Sequence, residues 1–299
     1  MFNFLFGSKK HSEKAIIGIS PSSVLFISSR EQDQFIKKDA ADNAEKAAAI
    51  RECLESSGLG GKASVSVVFM NGLYREIQID KPNVPEQELQ GAVPWAIKDF
   101  VQESVNNLVV DYIDMPKAPT YPNEKIMAVA VSRDLIKTVA ETVQSFGCVE
   151  IFTSENLALA DLFIPETEDD DKPHLVLYQP DGYELTFLII WHSRLYMVRN
   201  IRGFSDLPKY LSGALSLDVL ENLSLEMQRS IDYVVSQLKI PQPHYITLAV
   251  DTQEREKITE YLTQTFLLSP YAGLERHYDK PAIYLPLLAL LNNKDKSSQ

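Results

Sequence analysis

The order of predicted elements repeats along this chain, and that repetition constrains the fold more than any single motif. Ala15–Ser20 and Val24–Ser28 read as two short strands around the tight turn Ser20, Pro21, Ser22, Ser23. A helix follows over Asp42–Ser57, with Gly58 as its stop, and then a strand over Ala63–Met70. Asn71-Gly72 is a hairpin signal, so Leu73–Ile79 is expected to return as the partner strand. Pro85–Phe100 carries Leu89, Val93, Ile97 and Phe100 at helical spacing, with Pro94 expected to break or kink the helix. Leu108–Ile113 and Lys125–Val131 read as strands, and Arg133–Phe146 as a helix closed by Gly147. Val149–Phe152 reads as a short strand and Glu155–Phe163 as a helix.

The stretch Ile164–Pro173 brackets five acidic residues with two prolines and reads as a solvated linker. Beyond it the pattern returns. His174–Tyr178, Tyr183–Trp191 and Arg194–Arg199 read as strands with turns at Asp181-Gly182 and His192-Ser193. Leu217–Leu238 is a long helix with Leu220, Leu223, Met227, Ile231, Val234 and Leu238 on one face. A strand at Tyr245–Val250 and helices at Glu254–Phe266 and Ala282–Asn292 follow. The expected organisation is an amino-terminal tail (1–14), a first lobe (15–163), the acidic linker (164–173), a second lobe (174–292) and a disordered tail (293–299). No sequence-level repeat accompanies the rhyme of elements, which implies a duplicated α/β architecture.

Composition narrows the function. The 299 residues carry a net charge of −12. That disfavours a nucleic-acid binder, which needs a basic face, and broad adhesion to an anionic membrane. Cys53 and Cys148 stand far apart and read as unpaired thiols of a reducing compartment. The five histidines lack metal-ligand spacing. No run approaches the roughly 18–20 apolar residues of a membrane span, so a cytoplasmic location is expected. The aromatic start, MFNFLF, is expected to pack against the domain or remain disordered.

Several segments carry a family resemblance. Leu89–Tyr112, LQGAVPWAIKDFVQESVNNLVVDY, resembles the stretch of PilM-type proteins in which a Trp-bearing helix leads to an Asp-Tyr strand; Trp95, Asp111 and Tyr112 match. Near Gln102 the family often has proline, a small departure. Ala128, Ala130, Gly147, Ala158 and Leu159 match farther on, as do Arg199 and Gly203, and Glu226, Arg229 and Ser230 within Leu225–Val235. The chain thus resembles, over nearly its whole length, the PilM family of type IV pilus assembly, within the actin-like ATPase superfamily. The resemblance implies an actin-like, ribonuclease H-like fold of two lobes with duplicated mixed sheets and an inserted subdomain. It also implies docking of the amino-terminal cytoplasmic peptide of a PilN-like inner-membrane protein. Other pilus assembly components would join it, at the inner membrane face.

An actin-like ATPase also needs three nucleotide loops. The first should read Asp-x-Gly-Ser/Thr, to hold Mg²⁺ through water and phosphate through backbone N–H groups. Here Ser20, Pro21, Ser22 and Ser23 stand in its place as a vestigial phosphate loop, with Ser22 and Ser23 still able to donate to phosphate. The second belongs at Leu177–Pro180, with Asp181-Gly182 slightly later as an ordinary turn. The third, glycine-rich in the family, falls on glycine-free Tyr245–Thr252. The expectation is a non-catalytic protein without cofactor or metal. The alternatives are an active Mg-ATP-binding ATPase, or an analogue of the cytoplasmic domain of a type II secretion L protein, which the polar end at Gln299 disfavours. Trp95 and Trp191 read as core or interface aromatics, and Arg199 and Arg202 as partners in surface salt bridges.

Overall fold

The computed structural model describes residues 13–31, 34–59, 63–163, 172–180, 182–192, 194–271, 273 and 279–292. Most of the expected amino-terminal tail and acidic linker, Asp181, Ser193 and the carboxyl-terminal tail lie outside the described residues. The chain forms two compact units. One takes in Met1–Met115, Asn123–Ala158 and Pro286–Gln299, the other Pro116–Pro122 and Leu159–Leu285.

In unit 1, β1 (Lys14–Ile19) runs antiparallel to β2 (Ser23–Ser28), which pairs with a short β3 (Ile36–Asp39). Helix α1 (Asn43–Ser56) starts where Asp42 accepts the Glu45 amide at 2.9 Å and Glu45 accepts the Ala41 amide at 2.7 Å, a reciprocal cap. β4 (Ala63–Phe69) lies parallel to β1, with Ile17 opposite Val67. Every residue of β4 is buried, the mark of a strand covered on both faces.

The turn after β4 corrects the hairpin expectation. β5 (Tyr74–Asp80) does not pair with β4; it joins β6 (Leu108–Asp114) and β7 (Lys125–Ser132) in a separate antiparallel sheet of order β5-β7-β6. β4 already has β1 on one side and β8 on the other, so no edge is open to β5. Asn71-Gly72 instead hands the chain to an inserted subdomain. Gly72 has φ +97°, as such a turn requires. Helix α2 (Glu86–Ala96) covers the small sheet with Leu89 and Val93, joined by Ile97. It ends two residues after Pro94, so Phe100 leaves the helical register and is 64% exposed.

Helix α3 (Arg133–Val143) stops before Gly147, which opens β8 (Gly147–Ser154) rather than closing the helix. A Cβ on Gly147 would stand 2.1 Å from the Ala63 oxygen, so only glycine permits this approach of β8 to β4. The order β3-β2-β1-β4-β8 is completed by a bulge at Glu150, where Val149 pairs with Val65 and Ile151 with Ser66. Ile50, Leu54, Val139 and Val143 of α1 and α3 pack with Ile17, Val65 and Val67. The short α4 (Glu155–Ala160) follows β8.

Unit 2 repeats the plan. β9 (His174–Gln179), β10 (Leu185–Trp191) and β11 (Arg194–Ile201) form an antiparallel meander. Helix α5 (Leu217–Ser236) buries Leu220, Leu223, Met227, Ile231 and Val234, the face expected from its periodicity. β12 (Tyr245–Val250) is parallel to β9, α6 (Arg255–Phe266) follows, and β13 (Ser269–Pro270) ends the sheet β11-β10-β9-β12-β13. The last helix, α7 (Leu285–Asn292), groups from Pro286 onward with unit 1, whereas chain order assigns it to the second lobe. Leu287 packs over Gly18, where a Cβ would meet its Cδ1 at 2.9 Å.

Candidate functional site

Open α/β sheets place ligands outside the carboxyl ends of their parallel strands. In unit 1 that edge brings together the Ser20–Ser23 turn, the turn after β4 and the junction of β8 with α4. Ser20 and Ser23 are buried, while Pro21 and Ser22 are exposed. The turn closes on itself. The Ser20 amide donates to the Ser23 carbonyl at 2.9 Å, and the two hydroxyls lie 2.8 Å apart. Ser20 Oγ accepts the amides of Ser23 at 2.9 Å and Ser22 at 3.3 Å. The two amides expected to remain available to phosphate are therefore taken by the turn's own hydroxyl.

A lysine lies beneath this turn. Lys46 of α1 is buried, and its ammonium donates to the carbonyls of Pro21 (3.0 Å), Ala40 (3.0 Å) and Ala41 (2.9 Å). Three donors meet three neutral acceptors. Desolvation lowers its pKa below the ordinary lysine value. Pro21 in turn seats against Gly72, where a Cβ would meet its Cγ at 2.9 Å.

Beside the turn stands a polar network that sequence reasoning did not find. Glu155 Oε1 accepts the Asn71 amide at 2.7 Å and the Tyr74 hydroxyl at 3.3 Å. Asn156 Nδ2 donates to Tyr74 Oη and Glu76 Oε2, each at 2.9 Å, and the Ser154 hydroxyl donates to Glu76 Oε1 at 2.5 Å. Ser154, Glu155 and Asn156 are buried. Burial pushes the Glu76 carboxyl above its ordinary range, against the lowering pull of the bonds from Ser154 and Asn156. The network ties the head of α4 to β5 and to the turn that leads into the inserted subdomain. Both carboxylates receive donors from the protein itself. A Ser-Glu-Asn run at a helix start was the available signal; Glu76 had none, because β5 meets β8 through topology.

In unit 2 the corresponding edge holds Gln179 at the end of β9. Its buried amide donates to the Tyr183 (2.8 Å) and Phe204 (2.9 Å) carbonyls, and its Oε1 has no hydrogen-bond partner among the described residues. The second-loop residues Leu177 and Tyr178 are buried strand residues, and Asp181 lies outside the described residues. After β12, Asp251 accepts the Ala282 amide at 2.7 Å. Arg199 Nη2 pairs with Glu226 at 2.6 Å and its Nη1 donates to Ser230 Oγ at 2.9 Å. Trp191 packs against the unit 2 core, whereas Trp95 is 60% exposed. Among the described residues no group of three or more His, Cys, Asp or Glu side chains is placed to hold a metal, and no helix is long and apolar enough to cross a membrane.

No protein-family model matches the chain, and no curated protein matches its sequence. Solved structures do match. The chain is similar to a chain of a PilM–PilN type IV pilus biogenesis complex, at 17% identity and TM-score 0.64, over 93% of this chain and 97% of that one. It is also similar to a Bacteroides thetaiotaomicron protein described as having an actin-like ATPase fold and unknown function, at 13% identity and TM-score 0.54, over 94% and 96%. Two sheets of matched strand order, a subdomain inserted into the first, and these similarities agree: the chain has the actin-like ATPase fold.

Proposed function

We propose that this protein is a scaffold of type IV pilus assembly that docks the short cytoplasmic amino-terminal peptide of a PilN-like inner-membrane protein. The observation that carries this reading is the similarity, over 93% of the chain, to a chain of a PilM–PilN complex. The finer assignment is to MSHA-type pilus biogenesis, with MshI as the counterpart; it rests on the sequence resemblance over Leu89–Tyr112 and Leu225–Val235. The protein then works in the cytoplasm, held at the inner membrane face by its partner and joined there by other pilus components. A short peptide that orders on binding suits this role.

The scaffold works without hydrolysing ATP. Ser20 supplies no charge for a metal, Pro21 has no N–H, and the amides of Ser22 and Ser23 are engaged by Ser20 Oγ. Without a carboxylate the Coulomb attraction for a hydrated Mg²⁺ is small. These residues do not fit Mg-ATP, and no catalytic residue is assigned.

Two titrations test the two halves of the proposal separately. Calorimetry with the cytoplasmic peptide of the PilN-like protein from the same operon is expected to show saturable binding; no heat at high micromolar peptide overturns the docking role. Mg-ATP is expected to leave the melting temperature unchanged, and a saturable upward shift would restore the nucleotide reading.

A further inference from the structure

Unit 1 carries an exposed aromatic knob and, elsewhere on its surface, an apolar groove. The knob stands at the end of α2 in the inserted subdomain. Trp95 is 60% exposed and Phe100 64%, whereas Leu89, Val93 and Ile97 of the same stretch are buried in the subdomain core. Two large rings left in water within five residues mark a contact surface rather than scattered apolar exposure. Lys98, also exposed, lies between them and is followed by Asp99. The groove, of about 500 Å³, runs along the outer edge of β8, with which no strand pairs among the described residues. β8 lines it from Gly147 to Phe152, and α3 lines it through Ile136, Ala140 and Glu141. Val149 and Ile151 are only half-buried there. Among the described residues that line it, the charged ones are Glu141 and Glu150, both exposed and both negative.

We propose that this groove receives Trp95 and Phe100 of a second copy of the chain, with Lys98 of that copy set against Glu141 and Glu150 at the rim. Size and charge both favour this occupant. A groove of about 500 Å³ lies within the range that holds a drug-sized ligand, and two aromatic side chains are of that size. The cation between the rings meets a rim that carries carboxylates and, among the described residues, no lysine or arginine. Opposite charge at a rim fixes register and excludes wrong partners more than it adds affinity. Knob and groove share no residue, so the contact is head-to-tail: each copy offers its groove to one neighbour and its knob to another. Contacts of this kind continue into an open chain or close into a ring, and they do not stop at two copies. The net charge of −12 repels copies at long range, so association is expected to be weak and dependent on concentration. This inference does not depend on the pilus reading.

Sedimentation of the full chain over a range of concentrations tests the contact. The mean mass is expected to rise past that of a dimer. Trp95→Ser combined with Phe100→Ser should hold the chain as a monomer; both side chains are exposed, and an unchanged melting temperature checks that the fold is kept. Lys98→Glu and Glu141→Lys should each weaken association about tenfold, as expected for a lost charge pair at an interface. A chain carrying both changes should regain most of the loss, because the pair returns with its signs exchanged. Mixing the two single variants should give dimers, since Lys98 of one meets Glu141 of the other in a single sound contact. A monomer at every concentration overturns the proposal. So does association that ignores Trp95 and Phe100, or that the paired exchange fails to restore. A mass that stops at a dimer overturns it in favour of a two-fold contact. Cys148 lines the groove; slower maleimide labelling of it when the PilN-like peptide is added to a chain that stays monomeric overturns the proposal in favour of the partner.

Discussion

The two five-stranded sheets share strand order and pairing directions yet end differently. Unit 2 finishes in β13, two residues long and containing Pro270. A short, proline-bearing edge offers little to another strand. Unit 1 finishes in the eight residues of β8, half-buried over most of its first turn-free stretch. Among the described residues the same frame thus carries one blunted edge and one to which no further strand is paired. The loop ends differ too: in unit 1 the turn after β1 is closed by the Ser20 hydroxyl, and in unit 2 the end of β9 is held by the Gln179 amide. A hydroxyl and an amide engage the backbone at the two ends, so beyond the Lys46 brace and the inserted subdomain of unit 1 the two sheets differ in their edges.

The largest effect is expected where β8 is held to β4. In Gly147→Ala the new Cβ would meet the Ala63 backbone, and neither strand can yield without breaking the ladder. The expected loss is about 3 kcal/mol in chemical denaturation, the upper range for overpacking. An unchanged midpoint would mean that β8 tolerates displacement, and the contrast between the two edges would lose its basis.

Next in size is Lys46→Met, which keeps most of the buried stem but leaves the Pro21, Ala40 and Ala41 carbonyls without their donor. About 2 kcal/mol should be lost. Ser20→Ala should cost less, about 1 kcal/mol, because part of the turn survives through the Ser20 amide to the Ser23 carbonyl. If Ser20→Ala proved as costly as Lys46→Met, the hydroxyl rather than the lysine would be the main brace of the turn. Melting curves of the two variants decide.

These residues show how much of the molecule is readable from its sequence. β1, β2 and β4 declare themselves because both their faces are buried and their apolar runs are continuous. The buried face of α5 follows from spacing alone. Asn71-Gly72 misleads because a turn signal specifies a local reversal and not which strand comes next; the occupied edges of β4 decide that. Gly147 reads as a helix stop, but its need is for close approach to Ala63, a contact between residues far apart in the chain. The turn at Ser20–Ser23 is legible as a turn. Its bracing by Lys46 and the gathering of Glu76, Ser154 and Asn156 are not, since polar side chains carry no periodicity that announces a common site.

Glu76→Gln is expected to change stability least at acid pH and is the sharpest probe of that network. Burial raises the Glu76 carboxyl above its ordinary 4.5, so in the pH range between 4.5 and the raised value the folded chain binds a proton that the unfolded chain has released. Stability contributed by this group is therefore full below 4.5 and falls as pH rises through the folded value. The glutamine amide cannot ionise and has nearly the shape of the protonated acid. Below 4.5 the variant and the parent should melt together. Toward neutrality the parent should lose the stability tied to Glu76 while the variant does not, so the melting temperature of the variant should rise relative to the parent. Parallel profiles across that range would mean that the bonds from Ser154 and Asn156 outweigh burial and stabilise the charged form. The junction of β8 with α4 would then hold an ordinary carboxylate, and the contrast between the units would rest on their sheet edges, the Lys46 brace and the subdomain inserted into unit 1.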